Sequence, residues 1–202
     1  MIKTIGVLAV QGGFIEHIAM LNKLGAHCIE IRNKTDLVTN KFDGLVFPGG
    51  ESTVIGKLLK ELDLFDKLHE MILEGLPVFG TCAGMILLAK KINNDSHIYF
   101  GDMNIQVRRN AYGKQSGSFL THGDFKGIGQ IPMTFIRAPY IENILDTVEV
   151  LAVVDQHIVA ARQNNMIVTS FHPELTHDLR VHEYFLIMID QHILKYLVLL
   201  SR

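Results

Sequence analysis

Two segments of this sequence carry residues that could do covalent chemistry together. Gly80-Thr81-Cys82-Ala83-Gly84 follows the strand-like Pro77-Val78-Phe79 and precedes Met85–Ile92, an apolar run that reads as a helix. A glycine–x–nucleophile–x–glycine turn between strand and helix needs a sharp backbone bend that only small flanking residues tolerate. Such a turn presents its nucleophile at the carboxyl edge of a sheet. The positive end of the following helix dipole favours an anion there, and the thiolate is the nucleophilic form of cysteine. A base is then required, and Ser170-Phe171-His172-Pro173-Glu174 supplies one at the end of the strand-like run Met166–Phe171. Residues i and i+2 of an extended segment point the same way, so Glu174 is expected on the same side as His172. A carboxylate there would hold the imidazole's tautomer and stabilise its cation. The competing readings are a packed cysteine in a glycine turn and a surface histidine beside a glutamate. They are disfavoured because both segments end at the same face of a parallel sheet, where α/β active sites form.

A third junction, Phe47-Pro48-Gly49-Gly50-Glu51-Ser52-Thr53, also leads from strand to helix. Gly49 and Gly50, free of Cβ atoms, can turn backbone N–H groups towards a developing oxyanion, and one such donor is worth about 10²–10³ in rate. A phosphate loop fails on spacing, because Gly56-Lys57 would need glycine at 51 and Ser or Thr at 58, where Glu51 and Leu58 stand. Arg108-Arg109 and Arg137 lie on strand-like runs and suit either a carboxylate ligand or plain surface charge. His172, His177 and His182 recur at a spacing that matches no common helical metal site, so no metal is expected. Cys28, within the strand-like His27–Ile31, reads as a packed, inert thiol.

The elements that must position these residues follow from hydrophobic periodicity. Strands are expected at Thr4–Val10, Ala26–Ile31, Gly44–Phe47 and Pro77–Phe79. Helices are expected at Phe14–Leu24, at Ser52–Leu73 in two pieces around Asp63, and at Met85–Ile92. This alternation argues for βαβ units and a mostly parallel central sheet with flanking helices. Short β-type runs follow at Asn104–Arg108, Ser118–His122, Met133–Ile136, Val148–Val154, Ile158–Arg162 and Met166–Phe171, and Val181–Leu200 reads as a closing amphipathic helix. The fold expected is a three-layer α/β domain with a partly antiparallel extension, with residues 1–202 forming a single domain.

Composition narrows the function. The 202 residues are 48% hydrophobic and 20% charged, which excludes a disordered chain. Lys+Arg 19 against Asp+Glu 21 leaves a net charge of −2, which argues against nucleic acid or an acidic membrane as partner. Two cysteines make no disulfide framework, and no apolar stretch approaches the length of a membrane span. The Ile5–Val10 run is too short for a secretory signal, so a soluble, cytoplasmic protein is expected.

Taken together, these motifs resemble the class I (triad) glutamine amidotransferases. Gly80–Gly84 with His172-x-Glu174 would name only that superfamily, leaving open another of its amidotransferases or a free-standing Cys–His hydrolase. A finer resemblance, to the PdxT/SNO family of glutaminase subunits of pyridoxal 5′-phosphate synthase, is carried by several further segments. These are Gly6-Val7-Leu8-Ala9-Val10-Gln11-Gly12, Pro48–Thr53, Arg109-Asn110-Ala111-Tyr112-Gly113, Phe135-Ile136-Arg137-Ala138-Pro139 and Ser170–Leu175. The resemblance implies the flavodoxin-like amidotransferase fold. It implies Cys82 as nucleophile, His172 as general base and acid, and Glu174 as the residue that orients it. Gly49, Gly50, Glu51, Arg109, Ile136 and Arg137 match the family's glutamine-binding positions. The implied reaction is hydrolysis of L-glutamine to glutamate and ammonia through a glutamyl thioester, without a cofactor. Its implied partner is a synthase subunit, in a large hetero-oligomer, that receives the ammonia. The chain departs from the family pattern at Ala111, Tyr112, Lys114 and Gly117.

Overall fold

The computed structural model describes residues 2–109, 117–145 and 147–200. In chain order, the first half comprises β1 (Thr4–Leu8), α1 (Phe14–Lys23), β2 (His27–Ile31), α2 (Lys34–Thr39), β3 (Gly44–Phe47), α3 (Ser52–Glu61), α4 (Phe65–Leu73), β4 (Val78–Thr81) and α5 (Ala83–Leu88). The second half comprises β5 (Ala89–Ile92), β6 (Met103–Arg108), β7 (Ser118–Phe125), β8 (Gly129–Ile136), β9 (Tyr140–Ile144), β10 (Glu149–Val154), β11 (His157–Gln163) and β12 (Met166–Thr169), then a 3₁₀ turn at Pro173–Leu175 and α6 (Arg180–Leu200).

Strands β2-β1-β3-β4-β12 lie side by side and parallel. Beyond β12 the pairing turns antiparallel, through β11, β10, β7 and β8. β9 also pairs with β11 and carries β6 and β5 off the main path. The main path is therefore parallel where helices cover it and antiparallel beyond β12, and β5–β6, off that path, is a further parallel pair.

Alternation along the central strands sorts side chains between two cores. Leu8, Leu45, Phe47, Val78 and Val168 join the core covered by α3, α4 and α5. Ile5, Val7, Val46, Phe79 and Ile167 join the opposite core, under α1 and α6. These strands are buried on both faces, which explains why they read as continuous apolar runs. Each fully buried Leu, Ile or Phe contributes roughly 1.5–3 kcal/mol of transfer free energy, which holds the two helical layers to the sheet.

Three expectations need correction. The helix expected over Met85–Ile92 ends at Leu88, and Ala89–Ile92 is a strand paired in parallel with β6. No Gly or Pro breaks that apolar run, so only the non-local pairing with β6 decides its conformation. β9, after Pro139, has no counterpart among the expected strands; it forms because it bridges β11 and β6. Regular pairing in the last strand stops at Thr169, short of Phe171, because the chain already turns there. Among the described residues, no helix is long and apolar enough to cross a membrane.

Candidate active site

The carboxyl ends of β1, β3, β4 and β12 stand next to one another, and the loops leaving them meet in one cleft. Cys82, between β4 and α5, has φ 48° and ψ −97°. A non-glycine residue held in such a conformation costs of order 1–3 kcal/mol, and the surrounding structure must impose it. Two observations show how. The Cys82 N–H donates to Thr169 O at 2.7 Å, tying the turn to β12. A Cβ at Gly84 would stand 2.0 Å from Phe47 O, so the turn packs against β3 at a distance that only glycine permits. Cys82 is left 8% exposed, at the floor of the cleft.

His172 is anchored by its N–H, which donates to Thr134 O of β8 at 2.8 Å. Pro173–Leu175 forms a 3₁₀ turn instead of the extended segment expected, so the alternation argument is not the reason the two side chains meet. The turn folds Glu174 back, and His172 Nδ1 donates to Glu174 Oε1 at 2.7 Å. That leaves the other ring nitrogen for Cys82, which lines the same cleft and acts electrostatically on the same imidazole. Burial by itself would lower the pKa of His172. Cys82 and the hydrogen bond to Glu174, with the charges of both groups, override burial and push it up to about 10. Glu174 is 5% exposed, and burial works against its charge. The histidines beside it, His17 and His172, nevertheless hold its pKa below the ordinary value.

Gly49 lies against the His172 ring, where a Cβ would come 2.2 Å from Cε1. The Gly49 carbonyl accepts from Gly13 N at 3.0 Å, and the Glu51 N–H donates to Gln11 Oε1 at 2.8 Å. These bonds fasten the β3 loop to the loop after β1. The cleft has a volume of about 370 Å³, and Gly49, Gly50, Glu51, Arg109, Ile136 and Arg137 all line it together with Cys82, His172 and Glu174. Arg109 is tied back, with Nη1 3.0 Å from Asp95 Oδ2 and Nη2 3.3 Å from Tyr99 Oη. Arg137 has φ 42°, and its N–H donates to Gly117 O. Of the departures from the family pattern, Ala111, Tyr112 and Lys114 lie outside the described residues, as does Asn110.

Several residues at or behind the site carry no signal of their own in the sequence. Gln11 and Glu16 line the cleft. Beneath it His17, on α1, contacts Thr81, Glu174 and His182. The segment Gln11–His17 contains polar residues at the end of a strand, and that placement is the one available clue.

A cysteine on a strained strand-to-helix turn, in one cleft with an imidazole that a buried carboxylate holds, can act as a nucleophile with its own base. The family model of the SNO glutamine amidotransferase family matches residues 7–191. The chain belongs to that family. It is 53% identical over 189 residues to the pyridoxal 5′-phosphate synthase subunit PdxT of Streptococcus pneumoniae serotype 2 (strain D39 / NCTC 7466), covering 93% of this chain and 98% of that one. A solved glutamine amidotransferase superposes with a TM-score of 0.87 at 42% identity, covering 92% of this chain and 98% of the other. The solved PurLQS of Thermotoga maritima shares the fold, with a TM-score of 0.64 at 16% identity and coverage of 98% and 100%. The mixed sheet with its flanking helices is thus the amidotransferase fold, and the chain is a glutamine amidotransferase.

Proposed function

We propose that this SNO-family chain is the glutaminase subunit of a pyridoxal 5′-phosphate synthase, with Cys82, His172 and Glu174 as its triad. The observation that carries the catalytic assignment is the His172–Glu174 hydrogen bond in the cleft that Cys82 also lines, at the adjoining carboxyl ends of β4 and β12. In this reading His172 already holds the proton from Cys82, as its pKa of about 10 requires, and the thiolate attacks the side-chain amide carbon of glutamine. The resulting oxyanion is stabilised by backbone N–H groups of the Gly49-Gly50 loop. His172, the imidazolium, donates its proton to the leaving nitrogen. Ammonia departs and a glutamyl thioester remains. A water molecule, deprotonated by the same imidazole, attacks the thioester and releases glutamate and the thiol, so one glutamine and one water become one glutamate and one ammonia. General acid–base help of this kind is worth about 10²–10⁴. Glu174 stays ionised and holds the ring.

The cleft carries both signs of charge, Arg109 and Arg137 against Glu16 and Glu51. That suits a free amino acid, whose α-carboxylate would pair with an arginine and whose α-ammonium would pair with a carboxylate. The partner is a synthase subunit that consumes the ammonia, in line with the name of the relative that is 53% identical.

The test is glutamate release from glutamine with and without a synthase subunit, with Cys82→Ala as the blank. Release that requires Cys82 and rises with the partner supports the reading. Release that ignores the partner moves the chain to another branch of the amidotransferases, and release by the Cys82→Ala protein removes the triad.

A further inference from the structure

Behind Glu174 the structure holds two buried histidines that the reaction as written does not use. His17, on α1, and His182, on α6, are both 0% exposed, and His17 Nδ1 lies 2.9 Å from His182 Nε2. His17 Nε2 is 3.1 Å from Thr81 Oγ1 and 3.4 Å from Glu174 Oε2. Both rings also pack edge-on to Phe79, at 5.7 Å and 5.6 Å. Two buried atoms of this cluster, Glu174 Oε2 and His182 Nδ1, have no close hydrogen-bond partner among the described residues.

These contacts decide the tautomers. A neutral imidazole has one donor and one acceptor nitrogen. If His17 carried its proton on Nδ1, its Nε2 lone pair would face the Glu174 carboxylate, and His182 would bury an N–H with nothing to accept it. With the protons on both Nε2 atoms, His182 donates to His17 Nδ1. His17 then donates its Nε2–H to Thr81 Oγ1 with Glu174 Oε2 3.4 Å away, and no N–H is buried without an acceptor. Burial lowers the pKa of both rings, to about 3 for His182, and so keeps them neutral.

We propose that His17, its tautomer set by His182, is a positioning residue for Glu174: the positive end of its Nε2–H dipole, 3.4 Å from Oε2, attracts that oxygen so that Oε1 faces His172 Nδ1. The proposal rests on the triad reading above. His17 does not line the cleft, so it acts through Glu174 and not on the substrate. The groups that act on the Glu174 carboxylate are His17 from α1, His182 from α6 and His172 beside it in sequence; Glu16 acts on His17, and Cys82 acts on His172. Of these, His17 and His172 present N–H groups that favour the ionised carboxylate.

The test measures glutamine turnover against pH in the presence of the synthase subunit. It compares the unsubstituted chain with His17→Phe, which keeps a buried ring without a donor, and His17→Gln, whose amide nitrogen can reach as far as Nε2. An N–H dipole 3.4 Å from a carboxylate is weaker than a full hydrogen bond to a charged group, so its loss corresponds to about tenfold in kcat, the lower end of the range for such bonds. His17→Phe should show that loss with KM unchanged. Its acid limb should move to higher pH, because the carboxylate loses an N–H dipole that favours its ionised form. His17→Gln should recover most of the rate and the original acid limb. Equal rates in all three proteins, or equal losses in both variants with an unmoved acid limb, would overturn the proposal. ¹⁵N-histidine spectra of the unsubstituted chain provide a reading independent of whether the variants fold. They should show His17 and His182 protonated on Nε2, and a proton on His17 Nδ1 would overturn the proposal. Turnover by Cys82→Ala would instead sink the triad reading, and the tautomers would stand apart from that failure.

Discussion

Replacing Gly49 by alanine tests the site with a single methyl group. The new Cβ would stand 2.2 Å from His172 Cε1 and 2.9 Å from Nδ1, whereas ordinary contact begins at 3.4 Å. The ring must therefore retreat by about 1.2 Å, the difference between the first and last of these distances. The Gly49 φ lies outside the left-handed region, so alanine adds no backbone strain of its own. The Gly49 carbonyl bond to Gly13 N is likewise available to alanine. A misplacement of about 1 Å in a catalytic group costs on the order of 10² in rate. The expected loss in kcat is thus about 10²-fold, or ~2.7 kcal/mol of transition-state stabilisation. Stability should change by less than about 1 kcal/mol, because the imidazole can swing into the cleft without opening a core cavity. Glutamine turnover and a thermal melt, run on the same preparation, measure the two effects. The rate of Cys82 alkylation by iodoacetamide separates the causes. It falls if the ring has moved away from the thiol, and it stays unchanged if only the oxyanion donors are disturbed. Turnover within twofold of the unsubstituted chain, or an unchanged alkylation rate, would refute the displacement argument.

Other outcomes follow from the same geometry. Cys82→Ala should abolish turnover and leave glutamine binding measurable by calorimetry, since the cleft's charged residues are untouched; loss of binding would make Cys82 structural. Glu174→Gln should slow turnover less than His172→Ala, because an orienting group is more dispensable than the base it orients, and the reverse ranking would reassign the base. Stability should fall on both sides of neutrality. His182, lowered to about 3, binds fewer protons folded than unfolded, so stability drops as pH falls from about 6.5 towards 3, at about 1.4 kcal/mol per pH unit. His17 acts with the same sign. His172, raised to about 10, adds stability that is fully present below about 6.5 and is lost as pH rises towards 10. Glu174, held below its ordinary value, contributes stability above that value and loses it as pH falls through its folded pKa. Denaturation midpoints measured against pH check these signs, and His182→Phe should flatten the acid slope if it folds.

Much of the site is legible in residue types alone. Cys82 between Gly80 and Gly84 needs no partner to be read as a nucleophile turn, because the small flanking residues such a turn requires are written locally. The apolar runs of β1, β3 and β4 are legible for a related reason: strands buried on both faces are hydrophobic at every position. What escapes is non-local. Ala89–Ile92 looks helical because nothing in its own residues opposes a helix, and pairing with β6 overrides that preference. Glu174 reaches His172 through a 3₁₀ turn that an extended segment does not contain.

By itself, the sequence determined the fold class, the family and the identity of the three residues proposed to act. Each of these is written in local pattern, spacing and residue chemistry. Only the tertiary structure decided that Arg109 is tied to Asp95 and that Gly49 presses on the imidazole. It also decided that His17 and His182, 165 positions apart, meet behind the carboxylate. A histidine's tautomer and charge are set by what surrounds it after burial, and no spacing along the chain encodes those surroundings.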